Sequence, residues 1–306
     1  MIVAGVVIGI GAAAGVVAGW LGWRRRAGID PTDPHVTRRT LWNWFRRHPD
    51  TADRLHEHPL DARAATVGLL SASAAVLAVG VALAGILLLM IRTDTGLARA
   101  DQPFAEWAAE KATDTSTEIM RFISDFGGTA FVVTGAIAIA AIETFRDRRL
   151  TVAVYVAVTV GGQFALSNVI KLIVERARPD LAPLTGFSGT SFPSGHSTAA
   201  AATWACVAFL LARGRGRHAR AGLIGGAVGL AVAVAATRVA LGVHWTTDVV
   251  AGLIIGWMWW LLTTTAFGGR VLEFGEPVTI AEHLSDVAVD EARLVPRNGE
   301  QSSRSA

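Results

Sequence analysis

"SFPSGHSTAA", residues 191 to 200, sets a Pro-Ser-Gly-His turn directly against an alanine-rich apolar run. That run stays uncharged as far as Ala212. It therefore reads as a membrane-crossing helix that starts at a polar turn. A helix meant only to fill a bilayer has no use for a histidine preceded by a flexible, hydroxyl-bearing turn. Fold and chemistry are thus read from the same junction.

Working outward, seven apolar blocks follow one another: Ile2–Trp23, Ala64–Ile91, Thr129–Phe145, Leu150–Val174, Ser197–Ala212, Ala221–Leu241 and Val249–Phe267. A bilayer core takes about 20 helical residues, with about 17 a workable minimum. The block after His196 reaches that length only if its helix begins within the turn, and the Thr129 block is only just long enough. Of the 306 residues 52% are hydrophobic, and they fall in these long blocks rather than in alternating patterns. The expected fold is all-α, a polytopic transmembrane helical bundle. It divides into an N-terminal anchor (1–23), a basic cytoplasmic loop (24–63), a six-span membrane domain (64–267) and a polar tail without periodicity (268–306), read as solvated and disordered. Cys206 is the lone cysteine, so no intramolecular disulfide forms and no redox chemistry is suggested. A net charge of +3 is small and gives no reason to expect a nucleic-acid partner.

Arginine dominates the basic residues, and the two lysines are Lys111 and Lys171. Arginines crowd the 24–63 loop, "RDRR" (146–149) and "RGRGRHAR" (213–220). The positive-inside rule places those three loops in the cytoplasm of a bacterial-type plasma membrane. Residues 92–128, 175–196 and 242–248 then face outwards. No basic residue precedes the first block and Arg24–Arg26 follow it, so it reads as an uncleaved anchor with its N-terminus outside. Gly11, Gly15 and Gly19 recur at four-residue spacing, which permits close helix contact and self-association through the first span; the plainer account is that glycine is common in this chain. Phe104, Trp107 and Ala108 share a helical face that either lies on the membrane surface or packs a short helix. Trp20, Trp23, Trp42, Trp44 and Trp245 flank spans as interfacial aromatics do.

Three polar clusters meet the expected outer face at span ends. In "KLIVERARP" (171–179), Lys171 and Arg178 are two helical turns apart and on one face, with Pro179 opening the helix at Arg178. The second cluster is Pro193-Ser194-Gly195-His196. The third, "TRVALGVHWTTD" (237–248), carries Arg238, His244 and Asp248. Each has a bland account: Lys171 paired with Glu175, a solvated histidine, a simple helical pair of His244 and Asp248. Together they are improbable as decoration, because ionisable groups at span ends are costly. Three cations suit a multiply charged anion such as phosphate, and the helix opening at Ser194 offers amides to the same anion. A histidine oriented by a carboxylate makes a nucleophile or base, and a second histidine can protonate a leaving group. The cations would repel a metal, so no metal cofactor is expected. "HEHP" (56–59) with His48 lacks clear ligand spacing and reads as a solvated loop.

These clusters resemble the type 2 phosphatidic acid phosphatase family, PAP2, which shares its site with vanadium haloperoxidases and bacterial acid phosphatases. The family pattern is a lysine separated by six residues from Arg-Pro, then Pro-Ser-Gly-His, then Ser-Arg, five residues, His, three residues and Asp. The chain matches at Lys171, Arg178-Pro179, Pro193–His196, Arg238, His244 and Asp248, with Thr237 where the family usually has serine. The resemblance implies that His244 attacks phosphorus and Asp248 holds its ring. His196 would protonate the leaving oxygen and then activate water. Lys171, Arg178, Arg238, the Ser194 hydroxyl and the Gly195 amide would stabilise the equatorial oxygens. The implied substrate is a lipid phosphate: a polyprenyl diphosphate by preference, or phosphatidate or phosphatidylglycerophosphate. A transporter that merely binds phosphate, or a silent scaffold, would not need the histidine–aspartate pair and the second histidine.

Overall fold

The structure, a computed structural model, describes residues 1–24, 62–147, 150–213 and 215–267. Among these residues all regular structure is helical. The helices are α1 (Ile2–Arg24), α2 (Ala62–Thr93), a 3-10 turn (Gly96–Ala100), α3 (Asp101–Glu110), α4 (Asp114–Asp125), α5 (Thr129–Asp147), α6 (Leu150–Val174), α7 (Gly195–Ala212), α8 (Arg217–Ala240) and α9 (Thr246–Phe267). Among the described residues seven stretches are long and apolar enough to cross a membrane, one overlapping each expected block. The third of them runs through α4 and α5, from Asp114 to Arg146. The HEHP motif, His48, Trp42, Trp44 and the 268–306 tail lie outside the described residues.

The central helix is α7, which packs against α5, α6, α8 and α9. Its first half is a run of Ala, Ser and Thr, and Ser197 through Thr203 are all buried. Small side chains let neighbouring backbones approach closely, which is how helices associate where lipid removes the hydrophobic drive. The helix begins at Gly195, inside the turn, and so reaches 18 residues. Leu77, Val81, Leu89, Ile137, Leu172 and Ile173 are exposed on the outside of the bundle, where apolar side chains face acyl chains.

The glycine repeat of α1 is used within the chain. A Cβ on Gly15 would lie 2.7 Å from the Gly225 carbonyl oxygen, and one on Gly225 2.6 Å from that of Gly15. Gly11 meets Gly229 and Gly19 meets Ala221 in the same way, so the face read as a self-association surface is engaged on α8. Further along, Val3 and Val7 pack with Ala108, Met120, Leu241 and Val243, which places α1 beneath the turn that carries His244. Helix α3 also belongs to the bundle: Phe104 packs against Ala235, Val239 and Val249, and Trp107 against the Val3 cluster. Its apolar face is thus packing for a short helix.

Candidate active site

Helix α6 ends at Val174, and Glu175 takes a left-handed backbone, φ 48°. Arg178 therefore stands four residues beyond the helix, not on a shared helical face with Lys171. Pro179 bars helical backbone at Arg178, and the Glu175 turn has already redirected the chain. The two cations meet by another route. Lys171 Nζ donates to the Thr190 carbonyl at 2.5 Å, and Arg178 Nη2 donates to the same oxygen at 3.2 Å. Arg178 also donates to the carbonyls of Ser188 (2.8 Å), Gly189 (3.0 Å) and Val243 (2.5 Å), pinning the loop around itself. Lys171 thus spends its charge on the loop end rather than on Glu175.

Ser194 caps α7: its Oγ accepts the Ser197 amide at 3.4 Å and the Ser197 hydroxyl at 2.9 Å. Its own hydroxyl proton is left for another acceptor. The amides of Gly195 and His196 head the helix, where no helical carbonyl is available to them. The Ser194 amide donates to the Asp248 carbonyl at 3.1 Å, which ties the turn to α9. Close approach of those helices requires glycine. A Cβ on Gly252 would lie 2.7 Å from the Ser194 carbonyl oxygen, and one on Gly256 2.5 Å from that of Thr198. Asp248, Gly252 and Gly256 recur every fourth residue, so the stripe that packs on α7 ends in the carboxylate.

At the other junction Gly242 takes φ 71° and closes α8, and the amides of Val243 and His244 both return to the Arg238 carbonyl at 3.2 Å. His244 lies before α9 and Asp248 in its first turn, so they are not a pair along one helix. Asp248 Oδ2 accepts the Trp245 amide at 3.0 Å and the Ser191 hydroxyl, and faces His244 Nδ1 at 3.5 Å. The ring's other nitrogen, Nε2, stands 3.2 Å from Arg178 Nη1. The imidazole is thus held between a carboxylate and a guanidinium, with Nδ1 as the natural seat of its proton. Burial lowers the His244 pKa to about 4 against the opposing pull of Asp248, with Arg178 and Arg238 lowering it further. Burial also lowers that of Arg178.

Arg238 is 3% exposed and donates to Ser124 Oγ at 2.7 Å, while its buried Nε has no partner. His196 is half-buried and its ring makes no hydrogen bond among the described residues. The charges that bear on it are those of Arg238, His244, Arg178 and Lys171, contributed by α8, the turn after it, the 175–194 loop and α6. All eight residues singled out in the sequence therefore gather at one end of the bundle. Thr237 does not reach them, because its hydroxyl bonds the Val234 carbonyl of its own helix at 2.6 Å.

Sequence reading missed Arg176, Asp101, Ser191, Thr247 and Ser124. Arg176 Nη1 donates to Asp248 Oδ1 at 2.6 Å and its Nη2 to Asp101 Oδ2 at 2.8 Å. Its ring neighbour Trp245 lies 5.5 Å from the guanidinium and donates to the Ala177 carbonyl, so this span-flanking tryptophan also supports Arg176. The available signal was the second arginine in "ERARP", two residues before the one assigned. Asp101 gave none, being one acid among seven in its segment.

Residues 151–271 match the family model described as PAP2 superfamily. The phosphatidylglycerophosphatase B of Bacillus subtilis is 35% identical over 142 residues, 45% of this chain and 69% of that protein. A lipid A 1-phosphatase of Rhizobium johnstonii is 37% identical over 123 residues, 37% of this chain and 47% of that protein. Among solved structures, a transmembrane PAP2-type phosphatidylglycerolphosphate phosphatase from Bacillus subtilis superimposes with a TM-score of 0.55 at 29% identity, covering 63% of this chain and 94% of the other. With its helical bundle and its gathered cations and imidazoles, the chain belongs to the PAP2 superfamily of membrane phosphatases.

Proposed function

We propose that the protein hydrolyses a lipid phosphate or diphosphate at the extracytoplasmic face through a phosphohistidine. The observation that carries this reading is the held imidazole: Nδ1 faces the Asp248 carboxylate and Nε2 points at the cations. Neutral His244 uses its Nε2 lone pair to form the N–P bond as the P–O bond to the lipid breaks. The leaving oxygen takes a proton from His196. Asp248 supports the positive charge that the ring gains on phosphorylation. Water then attacks phosphorus and gives its proton to His196, the N–P bond breaks, and inorganic phosphate leaves. Arg178 releases Nε2 and joins Lys171, Arg238, the Ser194 hydroxyl and the Gly195 amide on the equatorial oxygens. The phosphate dianion itself favours a proton on His196, which otherwise faces only cations and His244.

The outward orientation rests on charge. The arginine-rich ends, with Arg146 and Arg213, lie at the end of α5 and α7 away from the site. An outward site suits a carrier-lipid diphosphate, whereas the Bacillus subtilis relative is named for phosphatidylglycerophosphate. One experiment separates these: phosphate release by the purified protein in chelator, from polyprenyl diphosphate, phosphatidylglycerophosphate and phosphatidate side by side. Release from at least one is expected. His244→Ala should abolish it while the protein stays folded, and wild type should yield an acid-labile phosphoprotein that the variant lacks. Release by His244→Ala at the wild-type rate would overturn the mechanism.

A further inference from the structure

Beyond the family's motif residues, a buried charge chain stands behind the imidazole. We infer that Arg176 and Asp101 form a positioning pair that sets the orientation and charge of the Asp248 carboxylate, and through it the nucleophilic imidazole of His244. This rests on the proposed role of His244.

The geometry is specific. The Arg176 fork spans two carboxylates, Asp248 Oδ1 at 2.6 Å and Asp101 Oδ2 at 2.8 Å, and its Nη1 also donates to Thr247 Oγ1 at 2.6 Å. Asp101 in turn accepts the Thr247 amide at 2.9 Å and its hydroxyl at 2.6 Å, clamping the first turn of α9 from the start of α3. Asp248 is fully buried, Asp101 is 4% exposed, and the Arg176 side chain is 16% exposed. Two buried carboxylates around one guanidinium leave a net negative charge, which the His244 ring meets at Oδ2. A carboxylate needed only to cap α9 would not require a second acid on the far side of its arginine. Each oxygen of Asp248 has a separate duty: Oδ1 is fixed by Arg176, while Oδ2 is turned to the ring, Ser191 and the Trp245 amide. Arg176 lacks a direct contact with the imidazole, so it acts by positioning.

The charged and titratable groups that face His244 are Asp248 from α9, Arg178 from the loop, Arg238 from α8 and His196 from α7. Removing the Arg176 charge leaves the carboxylate's field on the ring less compensated, so the imidazole protonates at higher pH. Neutralising Asp101 leaves Arg176 wholly to Asp248 and shifts the ring the opposite way. A merely structural role predicts no such opposed shifts.

The test compares full-length wild type, Arg176→Gln, Arg176→Lys, Asp101→Asn and His244→Ala, hydrolysing a lipid phosphate that wild type accepts. Arg176→Gln should lower kcat by up to about 100-fold, as misplacing a reacting group does, with KM little changed. The acid limb of its kcat/KM profile should move to higher pH, and that of Asp101→Asn to lower pH. Arg176→Lys should restore the limb but only part of the rate, since an ammonium keeps the charge yet cannot span both acids. If Arg176→Gln does not fold, the shift in Asp101→Asn and the retained limb in Arg176→Lys decide the point. Unmoved limbs, or a raised KM at unchanged kcat, overturn the inference while an inactive His244→Ala keeps the mechanism standing. Full activity in His244→Ala overturns both.

Discussion

The bundle pairs an inward arginine with acid at each of its ends, one carboxylate at the first and two at the second. At one, Arg213 after α7 pairs with Glu143 of α5, 6% and 1% exposed, and Arg146 approaches the same acid at 3.6 Å. At the other, Arg176 pairs with Asp101 and Asp248. Pair by pair the two clusters are alike, and each would read as a stabilising device. The difference lies in what surrounds them. Around Asp248 stand two imidazoles and three further cations, His196 and His244 with Arg178, Arg238 and Lys171. A buried ion pair therefore says little about function by itself. Cations and imidazoles that outnumber the carboxylates around them are what single out the Asp248 end as the candidate for an anion.

Three substitutions sharpen that contrast. The largest effect is expected at His196, whose ring holds no part of the fold together. His196→Ala should cut turnover by about 10²- to 10⁴-fold, the usual worth of a general acid–base group, with the unfolding temperature unchanged. A matching loss of stability would make it a structural residue and blur the comparison. Next is Arg213→Ala, which leaves Glu143 only the more distant Arg146 and should destabilise by less than the roughly 3–5 kcal/mol of a fully stranded buried charge, while kcat per folded molecule is unchanged. Thermal unfolding and active-site titration of the same sample check both halves; a fall in kcat would mean the two ends are coupled.

The smallest effect is a pH slope. Unfolded, His244 takes a proton near its ordinary value of 6.5, but in the fold only near about 4. Between those values the unfolded chain binds more protons, so stability falls as pH falls through that window. The contribution is at most about 3 kcal/mol. In His244→Gln the unfolding midpoint should vary less steeply with pH over the same window. An unchanged slope would place the titration elsewhere.

Some of this was legible early. The spans follow from uncharged blocks long enough to cross a bilayer, and the start of α7 from the shortness of the run after His196. The eight candidate residues came from three ordered motifs at span ends, each contained in a short stretch of sequence. Lys171 and Arg178 show where such reading ends. Their spacing predicts convergence through a shared helical face, whereas the helix stops at Val174 and both cations meet at the Thr190 carbonyl.

What the sequence determined by itself is local: which segments are apolar, where proline and glycine stop them, and which motifs stand at their ends. These are properties of short stretches, where hydrophobicity and backbone restriction act over a few residues. Only tertiary packing decided that Gly15 lies on Gly225, that Gly252 and Gly256 draw the Asp248 stripe onto α7, and that Asp101 reaches Arg176 across 75 residues of chain. Those choices depend on which faces meet, and no short window of sequence contains both partners.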